Sequence, residues 1–155
     1  MMGQPVDTPA IGEPSRWLLI FNWRAAGRWQ GLIAVGRFKH VRAMGYVPGV
    51  KHWVCYDVTF RRTQIAVVRD RSDEFRALFN EWTHEAEVMW IDAKPAHKAR
   101  LPAVFLCTTA IKHLIGLRSS ALLPSTLYRH CLSNGGTVID GRAQEAGPAA
   151  AQPAV

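Results

Sequence analysis

Residues 101–117, LPAVFLCTTAIKHLIGL, combine a short apolar run with the predicted start of an amphipathic helix at Cys107. In this helix Ile111, Leu114 and Ile115 have the spacing of one buried face. A cysteine at a helix start lies among unpaired backbone N–H groups and at the positive end of the helix dipole, and both favour the thiolate. A thiolate nucleophile works with a base. The rest of the sequence is therefore searched for a histidine and for a group that orients it.

The length and composition predict one domain with a sizeable core. The chain has 155 residues, of which 48% are apolar, a usual proportion for a globular protein. We place this single domain at residues 16–141. Residues 1–15 are rich in proline and are expected to form a flexible arm, and the Ala/Pro-rich residues 142–155 are expected to form a flexible tail.

The charge of the chain gives limited information about partners. The formal net charge is +7, from 19 lysine and arginine residues against 12 aspartate and glutamate residues. Such a surplus suits an anionic partner such as nucleic acid, cell-wall polymer or lipid headgroups, but net charge alone identifies none of them. The basic residues are scattered along the chain and do not form one run. Nucleic-acid binding is therefore not favoured as the main function.

The cysteines and the apolar segments bear on the compartment. Cys55, Cys107 and Cys131 are an odd, low number without close spacing, which argues against a disulfide framework and fits a reducing compartment. The N-terminal residues lack the basic start and apolar core of a signal peptide. The apolar run at residues 17–23 is too short to span a bilayer. We expect a soluble protein without a membrane span that is made in the cytoplasm.

The pattern of apolar residues predicts an α+β fold in which an antiparallel sheet of about four to five strands packs against helices. Alternation and β-forming residues predict an antiparallel meander of three strands, with a Pro48-Gly49 turn between the first two. The strand candidates are residues 17–23, which also fit the first turns of a helix, and residues 40–47, 53–58, 63–68, 87–91 and 137–140.

Two further helices are predicted from their caps and apolar stripes. Ser72 can cap a helix whose apolar stripe follows the i, i+3, i+4, i+7 pattern of core packing. Pro124 is placed for the first turn of another helix, which Asn134 and the two following glycines close. The stripe residues of the first of these helices are Phe75, Leu78, Phe79 and Trp82.

Six histidines are present, and their positions leave two as partners for Cys107. His113 is six residues after Cys107 and would face away from the sulfur on a helix. His40 opens a predicted strand, and His52 is placed in a solvated turn. No Cys/His spacing matches a closed zinc site, so no metal and no cofactor are expected. The histidines set aside by position are His84, His97 and His130.

The predicted hairpin gives His40 an acidic neighbour. A turn near Pro48-Gly49 pairs residues whose numbers add up to about 97, which puts Asp57 opposite His40. Asp57 could then bind one imidazole nitrogen and leave the other for Cys107. A slip by one residue would move Asp57 to the other face of the sheet. The competing interpretation is that Cys107 is a small core residue, which is the commoner role of a lone cysteine after an apolar run.

Three segments carry a resemblance to a known family: residues 37–41 (RFKHV), 53–57 (WVCYD) and 107–128 (CTTAIKHLIGLRSSALLPSTLY). A strand with a histidine, a strand with an aspartate and a late cysteine helix resemble the circularly permuted branch of the papain-like NlpC/P60 superfamily. In enzymes of the usual order the cysteine helix comes first. Within the permuted branch the chain is similar to small phage and prophage proteins.

The resemblance implies that Cys107 is the nucleophile, His40 the general base and Asp57 the residue that orients His40. It also implies that the backbone N–H of Cys107 is one donor to the oxyanion. The implied function is that of a cysteine peptidase or amidase, which hydrolyses an amide or peptide bond through a thioester. The expected substrates are peptides or amides, cell-wall peptides among them. Other phage proteins are expected partners, and the virion is a second expected location.

Two other functions stay open. The first is a non-catalytic structural or assembly protein of a phage particle, because proline-rich arms and tails often order only against a partner. A His40 ring more than about 6 Å from the Cys107 sulfur would favour it. The second is a basic nucleic-acid-binding protein, which strongly salt-dependent binding to DNA would support.

Overall fold

The computed structural model describes residues 12, 14–24, 35–59, 61–94 and 106–139. These residues form an α+β fold with one six-stranded antiparallel sheet in the order β4-β3-β2-β1-β5-β6. The strands are β1 (Arg16–Asn22), β2 (His40–Val47), β3 (His52–Val58), β4 (Thr63–Arg69), β5 (Ala86–Asp92) and β6 (Thr137–Val138). The helices are α1 (Asp73–Thr83), α2 (Cys107–Leu114) and α3 (Pro124–Ser133).

Strand β1 lies inside the sheet, between β2 and β5. The sequence of residues 17–23 suited either a strand or a helix, and the structure shows a strand. Trp17 pairs with Gly45 of β2 on one side and with Ile91 of β5 on the other. Every residue from Trp17 to Asn22 is buried, because both faces of the strand are covered. A strand that is buried on both faces does not alternate between apolar and polar residues, so its sequence period is uninformative.

The three-stranded meander is confirmed, but its predicted register was wrong by two. Ala43 pairs with Tyr56 and Val47 with His52, so paired residue numbers add up to 99. The connection is a four-residue turn in which Lys51 has a positive φ of 54°, and this places His52 in β3 rather than in the turn. An error of two preserves the face of every side chain, whereas an error of one would have reversed it.

The sheet has six strands within the described residues, where four to five were predicted. The additional strand is β1, whose residues suited either a strand or a helix. Residues 87–91 and 137–140 supply the predicted fourth and fifth strands as β5 and the two-residue β6, which pair through Met89 and Val138. Strand β5 lies beside β1 instead of continuing the meander. The sheet therefore grows outward from β1 in both directions, and the last strand of the chain forms one edge.

Each face of the sheet carries its own core. One cluster, here called the α1 face, packs the buried aromatic residues of α1 against alternate sheet residues that include Leu18, Ile20 and Met44. The other, here called the α2 face, packs α2 and α3 against the intervening residues Leu19, Phe21 and Ala43. This division follows from the two-residue period of the strands, and it decides which side chains can meet above or below the sheet.

The helix ends follow the predicted caps. The Ser72 hydroxyl accepts a hydrogen bond of 3.1 Å from the backbone N–H of Phe75 at the start of α1. Helix α2 begins at Cys107 and stops before Gly116, whose φ is +66°. A side chain at Gly116 would meet the carbonyl oxygen of Lys94 at 2.5 Å, so this position needs glycine for its conformation and for its space.

Several sequence interpretations concern residues outside the described part of the chain. These are residues 1–11 and 13 of the predicted arm, the predicted tail at 142–155, and residues 101–105, which hold most of the apolar run before Cys107. The domain limits at 16 and 141 stay predictions. Among the helices that the structure describes, none has the length and apolar character needed to cross a membrane.

Candidate functional site

The structure brings the three predicted site residues together at one end of the sheet. His40 is the first residue of β2, Asp57 is the second-last residue of β3, and Cys107 is the first residue of α2. Helix α2 makes its main sheet contact with β2. The strand ends therefore supply the imidazole and the carboxylate, and the helix start supplies the thiol.

His40 and Asp57 form a buried, directly bonded pair. His40 Nε2 donates a hydrogen bond of 2.6 Å to Asp57 Oδ1, and the residues are only 1% and 5% exposed. Extending the observed register puts Asp57 opposite Arg42, so His40 lies diagonally from Asp57 on the same face. Because a carboxylate can only accept, this bond fixes a proton on Nε2 and leaves Nδ1 as the second nitrogen of the ring.

The other ring nitrogen of His40 is buried without an ordinary partner. Nδ1 has no hydrogen bond of normal geometry to any part of the chain that the structure describes. The Cys107 thiol is nevertheless close enough for His40 and Cys107 to alter each other's pKa. An unpaired nitrogen in a buried ring is costly unless another group uses it, and the Cys107 sulfur is the group placed to do so.

The Cys107 sulfur reaches His40 from the opposite side of the sheet. Strand alternation puts His40 and Asp57 on the α1 face, whereas Cys107 packs with the core of the α2 face. The ladder between β2 and β3 ends at Ala43 and Tyr56. Beyond this point the backbone N–H of Val41 is available to the sulfur and donates to it. The site thus lies where two neighbouring strands stop pairing, which gives a helix on one face access to an imidazole on the other.

The pKa of His40 is raised to about 9, although burial alone would lower it. Burial disfavours the imidazolium, but the hydrogen bond to Asp57, the nearby Cys107 sulfur and the negative charges of both residues together favour it by more. At neutral pH the ring is therefore expected to carry a proton on each nitrogen. It can hold a neighbouring thiolate by charge and by hydrogen bonding.

The pKa of Cys107 is lowered below the usual thiol value for the complementary reason. Burial raises it, but the nearby imidazole and charge of His40, with smaller effects from Val41 and from the Thr108 hydroxyl, together lower it by more. The Thr108 Oγ1 atom is 4.0 Å from the sulfur. The N-cap residue Leu106 has no side-chain acceptor, so it leaves the first N–H groups of α2 for another anion.

Arg42 belongs to this site, and the sequence interpretation missed it. Its Nε lies 3.3 Å from Asp57 Oδ2, the carboxylate oxygen that His40 does not use. Burial would raise the pKa of Asp57, but His40 and Arg42 together hold it below its usual value. The available signal was the position of Arg42, two residues after His40 and so on the same face of β2. Its contact with Asp57 was not predicted, because the predicted register of β2 and β3 was wrong by two residues and paired Asp57 with His40 instead of Arg42.

The other cysteines are in ordinary core positions. Cys55 and Cys131 are buried free thiols, and burial raises the pKa of each to about 12. For Cys131, the charge of Lys94 opposes burial but does not overcome it. Of the cysteines in this chain, Cys107 alone has a lowered pKa. The core interpretation that applied to any lone cysteine describes Cys55 and Cys131.

His52 and the acidic residues outside the site show no comparable arrangement. His52 Nδ1 lies 2.5 Å from the carbonyl oxygen of Val50, within the hairpin turn. Over residues 14–24, 35–59, 61–94 and 106–139, no three histidine, cysteine, aspartate or glutamate side chains are placed to hold a metal ion.

The arrangement of Cys107, His40 and Asp57 can therefore generate a thiolate beside an imidazolium that a carboxylate orients. Such a set is suited to nucleophilic attack on a carbonyl carbon. Comparison of the chain with protein-family models, with curated proteins and with solved structures found no match in any of the three.

Proposed function

We propose that this protein is a cysteine-dependent hydrolase that cleaves an amide or peptide bond through a thioester intermediate. The observation that carries the proposal is the buried His40 ring, which is bonded to Asp57 through Nε2 and lies beside the Cys107 thiol with Nδ1 unpaired. The bond to Asp57 keeps the proton on Nε2 and leaves Nδ1 for the Cys107 thiol. This arrangement of the three side chains supports a role of the Cys107 sulfur as a nucleophile.

The reaction follows from the ionisation of the pair. The Cys107 thiolate attacks the carbonyl carbon, the C–N bond breaks, and His40 gives its Nδ1 proton to the leaving amine. The acyl group is then held as a thioester. His40 removes a proton from water, the resulting hydroxide attacks the thioester, and the C–S bond breaks to release a carboxylic acid and regenerate the thiolate. Asp57 keeps the ring oriented and its Nε2 protonated throughout.

The start of α2 can stabilise the negative charge that forms on the substrate oxygen. In the proposed reaction the backbone N–H of Cys107 is one oxyanion donor, because it lies at the positive end of the helix dipole next to the nucleophile. Leu106 cannot compete for these N–H groups, since its side chain has no acceptor. The Thr109 hydroxyl bonds back to Leu106, with 2.8 Å to its N–H and 2.9 Å to its carbonyl oxygen, and so secures the turn.

The proposal extends to the permuted NlpC/P60-like arrangement and to its substrate class. The order of the site residues along the chain supports this, because the strands with His40 and Asp57 precede the helix with Cys107. The substrates that this relationship suggests are peptide or other amide links, with cell-wall peptides as the first class to test. It also includes an association with phage proteins.

An acylation experiment tests the hydrolase proposal without a known natural substrate. Purified protein is mixed with p-nitrophenyl acetate and quenched in acid, and its peptides are analysed by mass spectrometry. We expect an acetyl group on Cys107 and a release of nitrophenol that Cys107→Ala lowers at least about a hundredfold. Purified cell-wall sacculi then serve as the amide substrate, with Cys107→Ala as the blank.

His113→Ala is the matched control, since His113 is an exposed histidine on the same helix. It should acetylate at the wild-type rate. Full turnover by a folded Cys107→Ala protein, or acetylation that is equal on Cys55 and Cys107, would contradict the proposal.

A further inference from the structure

We infer that Arg42 is a positioning residue of this site, and that it fixes the Asp57 carboxylate by joining it to Trp82 of helix α1. The inference rests on the proposed function, because positioning matters only if the Cys107 site is used. It adds a fourth residue and a structural element that the nucleophile, base and orienting residue do not include.

The two oxygens of Asp57 have different partners. Oδ1 accepts from His40 Nε2 at 2.6 Å and Oδ2 lies 3.3 Å from Arg42 Nε. A carboxylate that is held at one oxygen can still rotate about its Cβ–Cγ bond. Holding the second oxygen restricts this rotation, so Arg42 keeps Oδ1 directed at the imidazole.

Arg42 is itself held by the α1 face. Its guanidinium carbon lies 5.1 Å from the centre of the Trp82 ring, a cation–π contact, and its side chain is only 17% exposed. Trp82 is 3% exposed, and its backbone carbonyl accepts a hydrogen bond of 2.9 Å from Asn22 of the central strand β1. A series of buried contacts thus runs from the core of the α1 face through Arg42 to Asp57.

Arg42 also favours the ionised form of Asp57. Its positive charge and its hydrogen bond both lower the pKa of this carboxyl. Without Arg42 the pKa of Asp57 rises, so the carboxylate takes up a proton at a higher pH during acidification. A protonated Asp57 no longer holds the imidazolium by charge, and the Cys107 thiolate loses its partner.

The chain contains a matched control for this arrangement. Arg16 lies 5.5 Å from the centre of the Trp90 ring and forms an ion pair of 2.7 Å with Asp92. It is therefore another arginine held between an indole ring and an aspartate, on β1 instead of β2. A substitution there removes similar contacts without touching Asp57.

The test is the pH dependence of Cys107 alkylation by iodoacetamide in Arg42→Met, Arg42→Lys, Arg16→Met and the unmodified protein. Methionine keeps an apolar stem over Trp82 and removes the charge. We expect the acid-side loss of Cys107 reactivity to begin about one pH unit higher in Arg42→Met. Arg42→Lys should recover part of this shift, and Arg16→Met should show none. Melting temperatures measured in parallel report the purely structural effect of each change.

An unshifted acid-side profile in a folded Arg42→Met protein, or an equal shift in Arg16→Met, would overturn the inference. If Arg42→Met does not fold, the profile of Arg42→Gln decides, since an unshifted profile in this uncharged variant has the same meaning. The proposed function fails in a different way, namely if Cys107 of the unmodified protein alkylates no faster than Cys55 and Cys131. The two outcomes are therefore distinguishable.

Discussion

Cys55 is fully buried and Cys107 is partly buried, yet their surroundings change the thiol pKa in opposite directions. Cys55 lies in the middle of the sheet between Met44 and Ala66, and burial raises its pKa to about 12. At the end of the sheet, burial also raises the pKa of Cys107, but His40, with smaller effects from Val41 and Thr108, more than reverses this. Burial is thus common to both thiols, and the partner decides which of them is activated.

The difference between the two regions also shows where a sheet can accommodate a site. In the middle of the sheet the backbone groups are paired in continuous ladders and both faces are packed, so a polar side chain would have no room for a second partner. At the end near His40 the pairing of β2 with β3 has stopped, and Val41 offers its N–H to a sulfur from the other face. The site therefore depends on an interruption of regular structure.

The largest expected effect comes from removing the partner that distinguishes Cys107 from Cys55. His40→Ala should raise the pKa of Cys107, since only the smaller effects of Val41 and Thr108 then oppose burial, and should lower its alkylation rate at pH 7 by about a hundredfold. Rates for each cysteine are measured by peptide mass mapping after timed iodoacetamide treatment. His113→Ala serves as the control. A wild-type rate at Cys107 in folded His40→Ala protein would show that the helix start alone activates the thiol.

A smaller effect is expected from Asp57→Asn, which keeps the shape of the side chain and removes its charge. The charge and hydrogen bond of Asp57 help to raise the pKa of His40 to about 9, so this pKa should fall and the thiolate should lose part of its stabilisation. We expect about a tenfold slower alkylation of Cys107 at pH 7, which corresponds to about 1.4 kcal/mol. NMR titration of the His40 ring measures the shift directly.

Asp92→Asn is the control for the loss of one aspartate charge, because Asp92 is exposed and pairs with Arg16 away from the site. Its alkylation profile should match that of the unmodified protein. A His40 pKa that stays near 9 in Asp57→Asn would mean that Cys107 alone supports the imidazolium.

The smallest effect on the site is expected from replacing Cys55. Cys55→Ala removes a fully buried sulfur from the core of the α1 face and should lower the free energy of unfolding by about 1 kcal/mol. The alkylation rate of Cys107 should stay unchanged, because Cys55 is not among the groups that shift the pKa of Cys107. Denaturant unfolding gives the first quantity and mass mapping the second. A changed Cys107 rate would show that the two regions are coupled.

The sequence predicted the elements with a one-sided environment better than those buried on both sides. Strands β3 and β4 and helix α1 have a regular alternation or a capped apolar stripe, and they were predicted within a residue or two. Strand β2 is the exception, since it was predicted equally well although both of its faces are buried. Strand β1 is enclosed between β2 and β5 and covered on both faces, so its composition suited either a strand or a helix. Its pairing with β5 connects residues that are distant in the chain, and no local signal encodes that pairing.

For the candidate site, local sequence patterns selected three residues that lie together in the structure, but they did not predict the surroundings of those residues. His40 and Asp57 were placed on one face because the error in register was an even number. The register was wrong because the turn depends on a left-handed conformation of Lys51. Lysine rarely adopts this conformation, so the sequence gives no signal for it. Arg42 could not be assigned without the true register and without the position of Trp82, which α1 brings from a different part of the chain.

The late position of Cys107 in the chain has a consequence for the order of events during folding. His40 and Asp57 can meet as soon as the first hairpin closes, which is a local contact with a short loop. On a growing chain the sulfur can join them only after the residues of β4, α1 and β5 have been synthesised, because these residues precede Cys107. Until that moment Cys107 has the reactivity of an ordinary unfolded thiol. On a growing or refolding chain, the appearance of a fast-alkylating cysteine therefore marks the time at which α2 docks.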